Sequence, residues 1–223
     1  MMPAGKDISA VVRILNRKRY AFATPALTEI AERSEDPFKV LVSCILSLRT
    51  RDETTARVSR RLYEIADTPR EIASLHLLTL EKAIRPVNYY KTKARRIKQI
   101  SKEIVENHKG KVPDNFDDLL AFKGVGRKTA NIVMVYGFHR PGIPVDTHVH
   151  RVSNRLGWVN TKTPEKTESA LRSLLPQRYW LGINDIFVQF GQNICRPRNP
   201  KCWECPVSRY CRYYKEVYSK AKQ

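Results

Sequence analysis

The 223-residue sequence predicts an all-α protein, and three of its features lead there. Proline follows a capping residue at Asp36-Pro37, Thr68-Pro69 and Thr163-Pro164. Such pairs start helices, because the capping oxygen accepts an otherwise free amide and proline has no N–H to leave unpaired. Apolar residues recur at spacings of three and four. No stretch alternates apolar with polar residues between hairpin turns, so little or no sheet is expected.

In chain order, Ile8, Val11, Val12 and Leu15 mark one face of a first helix. Asp36 caps the next, with Phe38, Leu41, Val42 and Ile45 as its apolar stripe, and Val58, Leu62 and Ile65 mark another. Thr68-Pro69 opens a further helix, and Ile97, Ile100, Ile104 and Val105 line a later one. The run from Asp117 to Ala130 reads as helix, tight turn, helix, with Gly124 and Gly126 able to take positive φ and the second helix starting near Arg127. Asp146 caps a helix running from Thr147, and Thr163-Pro164 opens one more.

Charge narrows the function. Lys and Arg number 41 against 22 Asp and Glu, a formal charge of +19 that calls for an anionic partner such as nucleic acid or an acidic membrane. Residues 82–111 hold ten Lys or Arg against Glu103 and Glu106, and residues 192–223 hold eight against Glu204 and Glu216, so two basic surfaces are expected. Membrane spanning is excluded by pattern: the longest apolar run, Val40 to Leu48, includes Ser43 and Ser47 and falls far short of roughly 20 residues. Residues 1–20 carry charges from Lys6 to Arg19 and no secretory signal. A reducing, cytoplasmic setting is therefore expected, and disulfides are a poor explanation for five cysteines.

Four of those cysteines, Cys195, Cys202, Cys205 and Cys211, have the spacing C-x6-C-x2-C-x5-C within the last 29 residues. Four thiolates from one short segment can surround a metal centre, either a zinc ion or an iron–sulfur cluster, and Pro197, Pro200 and Pro206 help the chain turn between them. Cys44, inside the apolar run, reads as a small core residue.

Two further residues carry chemistry. At the start of the second hairpin helix the unpaired amides and the positive dipole end suit a phosphate. Lys128 stands in that first turn beside Lys123 and Arg127, where an ammonium is disfavoured relative to the neutral, nucleophilic amine. Asp146, in Val145-Asp146-Thr147-His148, caps a helix, and a carboxylate fixed by backbone N–H groups suits a role that needs a lasting negative charge. His148 and His150 could serve as acids or bases; His150 is better read as a polar position on a helix flank.

Together these residues resemble the helix–hairpin–helix DNA glycosylases, and within them the endonuclease III type. The matching motifs are the hairpin run from Leu120 to Ala130 with its Gly124-Val125-Gly126-Arg127-Lys128-Thr129, the run Val145 to His148, and the cysteine pattern. The resemblance covers nearly the whole chain. It implies two helical lobes with a groove between them: residues 30–140 as a helical barrel containing the hairpin at about 115–138, and residues 1–29 plus 141–223 as a cluster domain. It also implies a [4Fe–4S] cluster on the four cysteines, mainly structural. DNA would be met by Gly124, Val125, Gly126, Arg127 and Thr129, by His148, and by Arg196, Arg198 and Lys201 of the loop between the first two cysteines.

The implied reaction starts from double-stranded DNA with a damaged base or abasic site, bound by a monomer associated with the nucleoid. Lys128 attacks C1′ of a flipped nucleotide and expels an oxidised pyrimidine, Asp146 assists, and the Schiff base permits β-elimination. Two segments depart from the bacterial pattern: Ser47-Leu48-Arg49-Thr50-Arg51-Asp52 has arginine where relatives have glutamine, and Asn88-Tyr89-Tyr90 replaces glycine and leucine before tyrosine. Arg49 and Tyr89 are expected to fill the gap left by the flipped base. The first rival is a monofunctional mismatch glycosylase acting on T or U opposite G, or on adenine opposite an oxidised guanine. Those relatives lack a lysine at this place, and the adenine-specific type has an added C-terminal domain, whereas this chain stops 12 residues after Cys211. The second is a non-catalytic DNA-binding module, which leaves Lys128 and Asp146 unexplained.

Overall fold

The structure, a computed structural model, describes residues 5–19 and 36–220. Among these the regular elements are all helical: α1 (Gly5–Arg19), α2 (Pro37–Ser47), α3 (Asp52–Ile65), α4 (Pro69–Ser74), α5 (Leu77–Ile84), α6 (Tyr90–Asn107), α7 (Phe116–Ala121), α8 (Arg127–Ile132), α9 (Thr147–Leu156), α10 (Pro164–Leu174) and α11 (Trp180–Asn193). The chain divides into two compact units, Ala26–Gly142 and Met1–Pro25 with Ile143–Gln223. The expected boundary at residues 29–30 lies outside the described residues.

In the Ala26–Gly142 unit the caps act as their chemistry requires. Asp36 accepts from the Phe38 amide at 2.8 Å with Pro37 as the first helical residue. Thr68 and Glu71 form a reciprocal capping box on α4. Helix α2 is buried almost all round, from Phe38 to Leu46 apart from Lys39, so it is the helix the others cover. Val58 and Leu62 of α3, Ile72 of α4, Leu80 and Ile84 of α5, and Ile97, Ile100 and Ile104 of α6 complete one core. Each fully buried Leu or Ile contributes roughly 1.5–3 kcal/mol. Ile65, expected on the α3 stripe, is instead 49% exposed; the stripe continues at a spacing of four from Val58 through Leu62 to Ala66, which is buried.

A second core belongs to the other unit. Ile8, Val11 and Leu15 of α1 join Val149, Val152 and Leu156 of α9, Leu171 of α10, and Phe187 and Phe190 of α11, with Trp158 against Phe187 at 5.3 Å. His150 lies in a polar seam, its Nδ1 2.6 Å from the Thr167 hydroxyl, which in turn meets Thr161. That is a structural place. No helix among the described residues is long and apolar enough to cross a membrane.

Candidate active site and metal centre

The hairpin is α7, a five-residue connection from Phe122 to Gly126, and α8. Asn115 caps α7 by accepting the Asp118 amide, and the Val125 amide donates to Phe122 O at 3.0 Å to close the turn. Gly124 sits at φ 87, and the Arg96 guanidinium lies where a side chain at this position would go. Gly126 departs from expectation. It is extended, at φ −98 and ψ 175, and a Cβ added there would meet nothing within 4 Å. Neither backbone nor packing demands glycine at 126. No side chain caps the first amides of α8, so the helix end beside Gly126 offers N–H groups to an anion.

The hairpin side chains divide by direction. Val125 and Thr129, expected among the DNA contacts, turn their side chains inward because the hairpin must pack on α2; Thr129 Oγ1 is 3.6 Å from Cys44 Sγ. Burial pushes the Cys44 thiol up, against the opposing charge of Lys128 and the Thr129 hydrogen bond, which puts the half-buried Lys128 beside α2. Arg127 is exposed and stacks 4.9 Å over Phe116.

Arg49 and Tyr89 are both exposed, and both hold left-handed backbone, φ 56 and φ 58. Non-glycine residues rarely adopt it, and it persists where surroundings enforce it, often at working sites. The two tips adjoin, since Asn88 Nδ2 donates to Arg49 O. Lys93, part of the basic stretch expected on the surface, is buried and bonded to the same turn.

Asp146 lies in the unit that begins at Ile143, and Lys128 in the other. Its Oδ1 accepts from the His148 and Val149 amides, each at 2.8 Å. The chain ahead of it is held by Asn184, which donates to Pro144 O at 2.9 Å. His148 packs on Gly191, with its Nδ1 3.1 Å from an Arg151 guanidinium nitrogen.

All four clustered cysteines line one cavity, walled by Val152, Leu156, Phe190 and Val207. None forms a disulfide. Burial pushes the Cys202, Cys205 and Cys211 thiols up, Cys205 to about 12, and the charges of neighbouring cysteines add to the rise. Thiols so placed repel one another when ionised, which a cationic centre relieves. Four thiols lining one cavity offer the donor set that a zinc ion or an iron–sulfur cluster takes.

Arg155 ties this segment down, donating to Cys195 Sγ at 3.5 Å, Arg196 O at 2.6 Å and Pro197 O at 3.0 Å. Its own carbonyl accepts from Cys211 Sγ. Arg196 and Arg198 face outward, while Lys201 pairs with Glu204 at 2.9 Å. Lys93, Arg96, Arg155 and Asn184 escape a reading of the sequence, because the groups they meet lie far along the chain. A basic residue aimed at carbonyls has the same letter as one facing water.

Residues 42–177 match the HhH-GPD superfamily of base excision DNA repair proteins. Residues 195–211, which begin and end on cysteines of the cavity, match the iron–sulfur binding domain of endonuclease III. The endonuclease III of Thermotoga maritima is 50% identical over 183 residues, covering 82% of this chain and 86% of that protein. A trapped endonuclease III–DNA covalent intermediate is similar in structure, with a TM-score of 0.77 and 32% identity over 94% of this chain and 99% of that one. A thermostable thymine-DNA glycosylase shares the fold, with a TM-score of 0.74, 23% identity and coverage of 92% and 99%.

Proposed function

Because this chain belongs to the endonuclease III family of the HhH-GPD superfamily, we propose that Lys128 and Asp146 are the catalytic pair of a bifunctional DNA glycosylase and abasic-site lyase. The enzyme acts in base excision repair on duplex DNA and carries a [4Fe–4S] cluster. The observation that carries the residue assignment is a lysine in the first turn of the second hairpin helix, in a chain similar over 94% of its length to an endonuclease III trapped covalently on DNA.

The hairpin amides beside Gly126 take a phosphate, and a damaged pyrimidine nucleotide turns out of the stack so that its C1′ can be reached. The Lys128 amine forms a bond to C1′ as the C1′–N bond to the base breaks. The ionised Asp146 carboxylate stabilises positive charge as it develops on the sugar and then takes the amine proton, which passes on to the departing base. Ring opening gives a Schiff base, and loss of a C2′ proton expels the 3′ phosphate oxygen, cutting the strand on that side. Cys195, Cys202, Cys205 and Cys211 would hold the cluster, which fixes the loop presenting Arg196 and Arg198 to the backbone. The oxidised pyrimidine as substrate, and work at the nucleoid, belong to the same reading.

Single-turnover assays on duplexes with an oxidised pyrimidine, a T·G mismatch or a preformed abasic site test it. Excision of the oxidised base together with abasic-site cleavage is expected. Removal of mismatched thymine without strand cleavage would move the protein to the monofunctional class.

A further inference from the structure

Lys93 is only 4% exposed, on a helix whose other cations face or reach solvent. Its Nζ donates to Leu46 O at 2.8 Å, Leu48 O at 2.6 Å and Thr50 Oγ1 at 3.2 Å. An ammonium has three N–H donors, and one turn of chain takes all three. Two of the acceptors are carbonyls at the C-terminal end of α2, where the helix dipole favours a cation. Arg96, on the same helix, repels the charged amine.

The turn held in this way carries Arg49 in left-handed backbone, a conformation that side-chain-bearing residues rarely adopt. Asn88 grips the Arg49 carbonyl from the other side, next to Tyr89. Resting on the reading of Arg49 and Tyr89 as the pair that fills the gap left by a flipped base, we propose that Lys93 is a positioning residue for damage recognition. Its ammonium fixes the Leu46–Thr50 turn so that Arg49 points at the gap, and it touches neither the substrate nor the reacting atoms.

Burial, and then Arg96, hold the Lys93 amine well below the ordinary lysine value, at about 8. Above that pH the amine is neutral and keeps two donors, so the turn loses a charge-assisted bond. Stability moves the other way. The folded chain releases this proton before the unfolded chain does, so between about pH 8 and the ordinary lysine value folding becomes more favourable as pH rises. Loss of recognition in that window is therefore not loss of fold.

The test compares single-turnover excision of an oxidised pyrimidine with cleavage of a preformed abasic site, on the same protein from about pH 7 to about pH 9.5, with melting temperatures alongside. The ratio of the two rates cancels titrations common to both reactions, that of the attacking amine included. In the wild type it should fall about tenfold as pH passes 8 while the melting temperature, after correction for other groups with Lys93→Met, does not fall on account of this amine. Lys93→Met should lower the ratio about tenfold at every pH and add nothing in an Arg49→Ala background. A wild-type ratio independent of pH, or additive losses in the double variant, overturns the role of Lys93 even where Arg49→Ala lowers the ratio by itself. An Arg49→Ala protein with an unchanged ratio instead removes the gap-filling reading, and the inference with it. If Lys93→Met does not fold, the wild-type profile decides.

Discussion

Asp146 joins a structural and a chemical task in one carboxylate. Oδ1 takes both amides at the start of α9, and Oδ2 has no part in the cap. Asp146→Asn keeps an oxygen for the amides and removes the charge, so the melting temperature should stay within a few degrees while single-turnover excision falls by about 10² or more. An unchanged rate would leave this residue a cap alone. Caps were legible in the sequence, at Asp36, Thr68, Asp146 and Thr163, because donor and acceptor lie two or three residues apart. Lys93 was not, since its acceptors lie 43 to 47 residues away.

At the scale of elements, the hairpin and the cysteine segment each separate what the fold needs from what a partner needs. Gly124 is required by its φ of 87, whereas Gly126 has ordinary backbone and open space around it. Gly126→Ser should therefore keep or raise the melting temperature, since serine caps α8 well, yet weaken binding to abasic-site DNA about tenfold by filling the phosphate seat. Wild-type affinity in that variant would rule out the seat. For the cysteine segment, Cys202→Ser leaves three thiols around the cavity, and both iron content and folded yield should drop. One zinc and no iron in wild-type protein purified without oxygen would contradict the cluster. The spacing of the four cysteines points to a metal centre, and the match of residues 195–211 to the iron–sulfur binding domain of endonuclease III makes it a cluster and not an ion.

For the whole molecule, helical class and an anionic partner were legible because both are sums over many residues: stripes at three-and-four spacing, and a charge of +19. Individual directions were not, because burial is decided by tertiary packing. Ile65 gave way to Ala66 on the α3 stripe, and Val125 and Thr129 turned inward from a hairpin expected to face DNA. The reaction depends on one bond that such sums cannot predict, from the Lys128 amine to the sugar. Borohydride added during turnover reduces a Schiff base to a stable amine, so the wild-type protein on a duplex with an oxidised pyrimidine should yield a covalent protein–DNA adduct. Lys128→Gln should yield none while binding the same duplex within about tenfold of wild type, since phosphate contacts come from backbone amides and other cations. An adduct formed by Lys128→Gln at wild-type yield would contradict the assignment of the attacking amine.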